Sequence, residues 1–128
     1  MNILLDTNIL IWLAQGEKRL EKIYQEYLKD FKNSVFFSPT NLQEIAVLNS
    51  LKRLKPCVHT SIYRKNFIDA GYKELQLTPN VYDIYEALPL HHRDPFDRFL
   101  IAQAIAQNCS ILTSDVMFEK YDIDVIRS

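Results

Sequence analysis

The sequence predicts an α/β domain in three layers, with a central parallel sheet covered by helices on both faces. Short apolar segments alternate with longer segments of helical periodicity along the chain, which is typical of repeated strand–helix units. Most of the short segments are continuously apolar, which indicates strands buried on both faces. With 128 residues, 48% hydrophobic and 24% charged, we expect one domain spanning residues 1–128.

The first third of the chain predicts two strands and two helices. Residues 2–5 (NILL) form a short apolar run and predict a buried strand, and residues 9–14 (ILIWLA) are apolar all round and predict a short buried helix. Residues 20–31 place Leu, Ile, Tyr and Phe at helical spacing with Lys, Glu and Gln between them, which predicts an amphipathic helix. Residues 34–38 (SVFFS) predict the second strand.

The middle of the chain predicts three helices and a weaker strand. Ser38 and Pro39 are typical of a helix start, so a helix is expected over 39–54. Gly71 ends the next predicted helix, which covers residues 59–70. The remaining elements are a weakly alternating strand over 73–78 and a helix from Thr78-Pro79 to just before Pro89.

The last third predicts a helix that feeds directly into a strand. The helix runs from Asp94 to about Asn108, and residues 110–113 (SILT) form the fourth predicted strand. A helical turn over 114–121 and a short strand over 124–128 (DVIRS) complete the chain. The elements therefore predict a central parallel sheet of about five strands.

Composition and charge give no support to several functional classes, although a nucleic acid held locally as a substrate stays possible. The net charge of −1 gives no overall basic field, so nucleic-acid binding is not implied by charge. Only two glycines are present, which disfavours Gly-rich phosphate loops, and neither GxGxxG nor GxxxxGK[ST] occurs. Cys57 and Cys109 have no metal-type spacing and are expected to be reduced thiols. Without a signal-type N-terminus or a membrane-length apolar run, a cytoplasmic location with no membrane partner is expected.

Four acidic residues are predicted to meet at one edge of the sheet. In open α/β sheets, sites form beyond the carboxyl ends of the strands. Asp6 follows the first strand directly, and Asp115 follows the strand 110–113 after one serine. Glu44 lies two turns into the helix that leaves strand 34–38, and Asp97 opens the helix that precedes strand 110–113.

Each acid also has a structural explanation. Asp6 and Asp115 could cap the helical segments that follow them, and Asp94 and Asp97 could both start the helix at Pro95. Glu44 is too far inside its helix to be a cap. Its neighbours at helical spacing are apolar (Val47, Leu48 and Leu51), which places it in an apolar face, although a partly exposed position at the edge of that face is an alternative.

Converging carboxylates require a cation or protonation. Two unit charges about 4 Å apart repel by about 4 kcal/mol at an effective dielectric constant of 20. No His or Cys joins the acids at ligand spacing, so the ligands would be hard oxygens, which favours Mg²⁺ or Mn²⁺ over Zn²⁺. A carboxylate-held Mg²⁺ that keeps several waters is suited to phosphodiester hydrolysis, because it activates a water and neutralises the attacked phosphate.

Four segments together resemble the PIN-domain nucleases. They are LLDTN (4–8), SPTNLQEIA (38–46), HHRDPFDRFLIAQA (91–104) and ILTSD (111–115). The resemblance spans nearly the whole chain and is greatest to VapC-type toxins of bacterial toxin–antitoxin pairs, in the subgroup with a PxHHRDPFDR segment. It implies a PIN-like fold, one or two Mg²⁺ or Mn²⁺ ions per site and cleavage of single-stranded RNA. It also implies a homodimer that is inhibited by a cognate antitoxin.

The resemblance raises the four acids to an expected catalytic and metal-binding quartet. Asp6 matches the acid that ends the first strand, and Glu44 matches the acid of the EIA helix. Asp97 matches the aspartate before LIAQA. Asp115 matches the aspartate that closes LTSD, where family members vary, and it could act through water.

The resemblance also assigns supporting positions. Asn8 and Thr113 match polar residues that support the acids by hydrogen bonds, whereas Asp94 is expected mainly to start its helix. Arg93 and Arg98 flank the acids and could contact RNA phosphate, or could equally form salt bridges with acidic side chains.

The pair His91 and His92 invites a zinc interpretation. Adjacent histidines chelate one ion poorly, however, so a polar, exposed loop is expected there.

Two alternatives to a toxin ribonuclease stay open at this point, and a third is disfavoured. The chain could be a non-catalytic α/β protein-binding module in which the acids only cap helices, although such a module has no need for a crowded anionic site. It could be a PIN protein that processes RNA without being a toxin. An aspartyl-phosphate enzyme is disfavoured, because no second acid stands two positions after Asp6.

Overall fold

Five parallel strands form one sheet in the computed structural model, which describes residues 1–128. The strands are β1 (Asn2–Leu5), β2 (Ser34–Phe37), β3 (Lys73–Glu74), β4 (Ser110–Thr113) and β5 (Val125–Arg127). Their order across the sheet is β3-β2-β1-β4-β5, and all neighbouring strands are parallel. The prediction of a central five-strand parallel sheet is therefore confirmed.

Helices cover both faces of the sheet. They are α1 (Thr7–Ala14), α2 (Glu21–Ile23), α3 (Pro39–Ser50), α4 (Thr60–Asp69), α5 (Asn80–Ala87) and α6 (Pro95–Gln107). Side chains of α1, α3 and α4 form one apolar core, which also contains Ile3 and Leu5 of β1. Leu4 points to a second core, formed with α6 and Phe118. Successive residues of β1 thus enter opposite cores, which explains the continuous apolar run and confirms the three-layer arrangement.

Local capping fixes where the two site-bearing helices begin. Ser38 caps α3 in a reciprocal capping box, in which Thr40 N–H donates to Ser38 Oγ (3.0 Å) and Ser38 N–H donates to Asn41 Oδ1 (2.6 Å). At α6, Asp94 is the cap and Pro95 takes the first helical position. Helix α3 therefore starts directly after the carboxyl end of β2, and α6 starts beside the same edge of the sheet.

The amphipathic helix expected over 20–31 is wrong as a continuous element. The segment consists of a 3-10 turn (Lys18–Leu20), α2 and a π-helical turn (Tyr24–Leu28), in which Lys29 N–H donates to Tyr24 O at 2.8 Å. The helical segment ends at Leu28, so residues 29–33 form a turn in which helical periodicity no longer decides which side chains are buried. Phe31, expected on the buried face, is 93% exposed.

Two other predicted elements are shorter than expected. Helix α3 ends at Ser50 rather than at 54, because Lys52 takes a left-handed conformation (φ 57°). The strand expected over 73–78 is only β3. Leu75 N–H still donates to Phe37 O (2.8 Å), but β2 ends at Phe37 and offers no further partner, and the carbonyl of Leu75 accepts a hydrogen bond from Gln103 Nε2 of α6 instead (2.6 Å).

None of the helices combines the length and the apolar character needed to cross a bilayer.

Candidate active site

The ends of the two central strands are joined by Thr113. β1 and β4 are neighbours, with Leu5 paired to Leu112, so the residues that follow them meet at one edge of the sheet. Asp6 N–H donates to Leu112 O (3.0 Å), and the Thr113 hydroxyl donates to Asp6 Oδ2 (2.7 Å). Asp115 N–H donates to Thr113 Oγ1 (3.0 Å). This hydroxyl therefore connects Asp6 with the backbone of Asp115.

Asp6 is both a helix cap and a buried acid. Its Oδ1 accepts the N–H of Thr7 (2.7 Å) at the start of α1, and only 4% of the residue is exposed. The pKa of Asp6 is raised to about 6, mainly by burial and also by the nearby Asp115 and Asp94, while the hydrogen bonds from Thr113 and Thr7 oppose the shift. Ionising this carboxyl is therefore costly, and a nearby cation would offset that cost.

Glu44 reaches the same edge of the sheet from α3. The residue is half-buried, yet its Oε1 is fully buried and has no hydrogen-bond partner. Burial raises the pKa of Glu44 to about 7; the Thr7 hydroxyl lowers it, and Asp6 and Asp94 raise it. An unpartnered buried carboxylate oxygen is costly, and a bound cation would remove that cost.

The apolar face expected around Glu44 is not the buried face of α3. Val47 is 42% exposed and Leu51 is 57% exposed, so Glu44 lies at the edge of that face, as the alternative interpretation had it. Polar contacts hold the start of α3, the helix that carries Glu44. Asn41 Nδ2 donates to Leu5 O (3.1 Å) and to Thr7 Oγ1 (3.0 Å), which ties the start of α3 to the end of β1.

Asp94 and Asp97 have different positions at the start of α6. Asp94 Oδ1 accepts the N–H groups of Phe96 (2.9 Å) and Asp97 (3.3 Å), so Asp94 is the helix cap expected from the sequence. The Asp97 side chain is only 14% exposed and accepts no hydrogen bond. Burial raises the pKa of Asp97 to about 8, with further contributions from Asp6, Asp94, Glu44 and Asp115.

Five carboxyl groups therefore influence one another at this edge of the sheet: Asp6, Glu44, Asp94, Asp97 and Asp115. Asp115 also caps a 3-10 turn (Val116–Lys120), with Oδ1 accepting the N–H of Met117 at 2.9 Å. No three His, Cys, Asp or Glu side chains stand in a ready metal-binding group. The expected set of four metal ligands (Asp6, Glu44, Asp97 and Asp115) therefore stays a prediction.

The donor chemistry fits a hard divalent cation. The available groups are carboxylate oxygens, one of them buried without a partner, and three of the acids have raised pKa values. Mg²⁺ and similar ions bind through one or two carboxylates and keep several waters, so a closed cage of protein ligands is not required. Asp6, Glu44 and Asp97 are the residues best placed to contribute.

The supporting residues differ from those expected. Thr113 contacts Asp6 as described, but Asn8 is exposed and its side chain makes no hydrogen bond to an acid. Thr7 and Asn41 take the role expected of Asn8. Thr7 is the neighbour of Asn8 in LLDTN, and Asn41 lies in SPTNLQEIA, so both stand in segments that carry the resemblance.

The two arginines are placed differently. Arg98 is 6% exposed, and its Nη1 donates to Pro89 O (3.0 Å) and Tyr121 Oη (3.2 Å), so its guanidinium is used inside the fold. Neither RNA contact nor a salt bridge to an acid, the two expectations for Arg98, fits this position. Arg93 is exposed and forms no ion pair.

His91 and His92 also differ from the exposed loop that was expected. His91 is exposed, but His92 is half-buried with its Nε2 3.5 Å from Asp97 Oδ2. Sequence reasoning missed His92 as a residue of the site. Its position next to the acids in HHRDPFD was the only signal.

The chain belongs to the PIN domain family, whose model matches residues 3–124. PIN domains define a class of nuclease-like α/β proteins, and the acid-lined edge of the sheet described above lies within the matched range. A comparison with curated protein sequences finds no significant match.

Solved structures share the fold over the whole chain. The crystal structure of VapBC2 from Rickettsia felis, bound to a DNA fragment from their promoter, matches with a TM-score of 0.78 and 16% identity over 100% of this chain and 99% of that chain. VapBC-1 from nontypeable Haemophilus influenzae matches with a TM-score of 0.68 and 15% identity over 99% and 98% of the two chains. VapBC-5 from Mycobacterium tuberculosis, a member of the VapBC family of toxin–antitoxin systems, matches with a TM-score of 0.69 and 15% identity over 99% and 98%.

Proposed function

We propose that this protein is a Mg²⁺- or Mn²⁺-dependent endoribonuclease that hydrolyses phosphodiester bonds in single-stranded RNA and acts as the toxin of a toxin–antitoxin pair. The observation that supports this best is the electrostatic convergence of Asp6, Glu44 and Asp97, each with a raised pKa, within a PIN domain. Helix capping alone does not require three buried or half-buried acids that raise one another's pKa values.

The role proposed for each acid follows from the hydrogen bonds that its carboxylate accepts. Asp6 is fixed by donors on both oxygens, Thr7 N–H on Oδ1 and Thr113 Oγ1 on Oδ2, and so supplies a rigid reference position. Glu44 Oε1 is buried without a hydrogen-bond partner, and Asp97 accepts no formed hydrogen bond, so at least one oxygen of each acid is available to a cation. Asp115 is partly used by its cap and would contribute through an intervening water.

When bound, one or two Mg²⁺ or Mn²⁺ ions would neutralise charge on the attacked phosphate and lower the pKa of a water. The acids must give up protons before they can act as ligands, because the pKa of Asp97 is about 8 and that of Glu44 about 7. Cation binding is therefore proton-linked and strengthens as the pH rises through this range. Arg93 is exposed beside the acids, and its guanidinium is available to bind an RNA phosphate.

A cognate antitoxin and a homodimer are part of this proposal. The structural neighbours include VapBC toxin–antitoxin assemblies that this chain matches over nearly its full length. A site with five carboxyl groups is complementary to a basic side chain, which an antitoxin would insert to block the cation. Exposed apolar side chains on α3 and α4, among them Val47 and Ile62, are suited to contact a second chain.

The experiment that tests the proposal combines Mn²⁺ calorimetry with RNA cleavage, using wild type and Asp97→Asn. Asparagine removes the charge while retaining the shape. Asp69→Asn is the matched control, because Asp69 is exposed and pairs only with Lys65. We expect Asp97→Asn to lose Mn²⁺ binding and cleavage without a loss of melting temperature, and Asp69→Asn to keep both. Equal Mn²⁺ binding by wild type and Asp97→Asn would contradict the site, and no binding by wild type would favour the non-catalytic module.

A further inference from the structure

His92 lies in the loop before α6, between Tyr121 and Asp97. Its side chain is 13% exposed, and its Nδ1 is 2.8 Å from Tyr121 Oη. On the other side of the ring, Nε2 is fully buried, has no hydrogen-bond partner and is 3.5 Å from Asp97 Oδ2. One ring nitrogen is therefore engaged, while the other is held toward an acid of the site.

The hydrogen-bond partners of Tyr121 determine which ring nitrogen carries the proton. Arg98 Nη1 donates to Tyr121 Oη (3.2 Å), and the backbone N–H of His92 donates to the same oxygen (3.3 Å). A guanidinium and a backbone amide can only donate, so they use the two lone pairs of the phenol oxygen. The Tyr121 hydroxyl proton must then point at His92 Nδ1, the remaining contact. Nδ1 accepts this hydrogen bond, and the ring proton is on Nε2.

The surroundings of His92 agree with a neutral ring. Burial lowers the pKa of His92, and Arg98 and His91 lower it further, although Asp115 and Asp94 act in the opposite direction. A second proton on Nδ1 would place three donors around Tyr121 Oη and leave the hydroxyl proton without an acceptor. The ring also packs against the rings of Phe118 and Tyr121, which restricts its rotation.

We propose that His92 is a positioning residue for Asp97, held as the Nε2–H tautomer by the Arg98–Tyr121 pair so that its N–H donates to Asp97 Oδ2. The contact of 3.5 Å is longer than a formed hydrogen bond, and contacts of this kind shorten when the acceptor becomes fully charged. With Oδ2 held by His92, Oδ1 of Asp97 is directed to the cation. The buried Arg98 thus acts on Asp97 through Tyr121 and His92 rather than by contacting RNA.

The tautomer is tested on the metal-free protein, independently of any activity. In protein carrying ¹⁵N-histidine, two-bond ¹H–¹⁵N correlation spectra at pH 7.5 distinguish a protonated ring nitrogen from an unprotonated one. We expect a pure Nε2–H pattern for His92, which becomes a mixture in Tyr121→Phe, with the resonance assigned by its absence in His92→Gln. An Nδ1–H pattern or a doubly protonated ring in the wild type would overturn the proposal.

The effect on Asp97 is tested with two amide variants and rests on the proposed function. Glutamine at position 92 can place an N–H near the position of Nε2, whereas asparagine reaches only the Tyr121 side of the ring. We expect His92→Asn to weaken Mn²⁺ binding about 10-fold or more, and His92→Gln to stay within about 3-fold of wild type, at similar melting temperatures. Equal affinities of His92→Asn and wild type would overturn the positioning role. If wild type binds no Mn²⁺, the proposed function fails, and the NMR tautomer still decides the inference about His92.

Discussion

The hydroxyl of Thr113 donates to Asp6 Oδ2 at 2.7 Å, and this one hydrogen bond joins residues 107 positions apart at the ends of the two central strands. Both groups are buried, with Thr113 at 0% and Asp6 at 4% exposure. The bond therefore orients the acid at the centre of the candidate site, and it opposes the effect of burial on the pKa of Asp6.

Replacing Thr113 with valine tests this orientation. Valine keeps the branched shape and removes the donor, so we expect the pKa of Asp6 to rise above about 6 and Mn²⁺ binding near neutral pH to weaken. The loss of a buried hydrogen bond should lower the free energy of unfolding by about 1–3 kcal/mol. Calorimetry and urea denaturation provide the measurements. Thr113→Ser, which keeps the hydroxyl, is the control, and equal effects of valine and serine would show that the methyl group rather than the hydroxyl matters.

The stability of the metal-free protein should fall as the pH rises from about 4 to about 8. Asp6, Glu44 and Asp97 have pKa values of about 6, 7 and 8 when folded, above the values of about 4 that acids have in an unfolded chain. The folded state therefore binds more protons than the unfolded state in this window, so the free energy of unfolding decreases with pH and levels off above about pH 8.

Urea denaturation in the presence of a chelator, at pH 5, 7 and 9, measures this dependence. For Asp6 and Asp97 together we expect a loss of about 3 kcal/mol or more between pH 5 and 9. Saturating Mn²⁺ should remove most of the loss, because it binds the ionised form of the folded state. A metal-free protein whose stability is constant or increases over this range would refute the cluster of protonated acids.

The substitution Asp97→Asn should stabilise the metal-free protein at high pH while it removes cation binding. Asparagine cannot ionise, so at pH 8 the variant avoids the cost that burial imposes on the Asp97 carboxylate. We expect the free energy of unfolding to rise by about 1–3 kcal/mol at pH 8 and to be nearly unchanged at pH 4. Denaturation curves at the two pH values test this. A destabilised variant at both would indicate a structural role for the carboxylate instead.

The architecture was predictable because strands buried on both faces have a strong sequence signal. Continuous apolar runs such as residues 2–5 and 110–113 mark them, and caps at Ser38 and Asp94 mark the helix starts. The π turn at Tyr24–Leu28 was not predictable, since its apolar spacing is equally compatible with an α-helix. The strand expected over 73–78 is short because its partner strand β2 ends at Phe37, which residues 73–78 alone do not show.

The acids of the candidate site were found from topology, because residues after parallel strands must meet at one edge. The roles of Arg98 and His92 were not, since both depend on Tyr121, which the chain brings back from 23 and 29 positions away. Arg93 and Arg98 both stand beside acids in HHRDPFDR, so the sequence does not show that Arg93 is exposed and Arg98 is buried. They differ in the contacts that Arg98 makes with Pro89, Tyr85 and Tyr121.

Substitutions of the two arginines should therefore have different effects. The buried Arg98 donates two hydrogen bonds and lies 5.1 Å from the ring of Tyr85, so Arg98→Gln should lower the free energy of unfolding by about 2–4 kcal/mol. Arg93 is exposed and has no ion pair, so Arg93→Gln should leave the melting temperature within about 2 °C of wild type and raise KM for RNA by several-fold. Thermal melting and initial rates at several RNA concentrations measure both effects. If Arg98→Gln were as stable as wild type and impaired only in KM, Arg98 would contact RNA as the sequence first suggested, and the Tyr121 contact would not be needed to hold the fold.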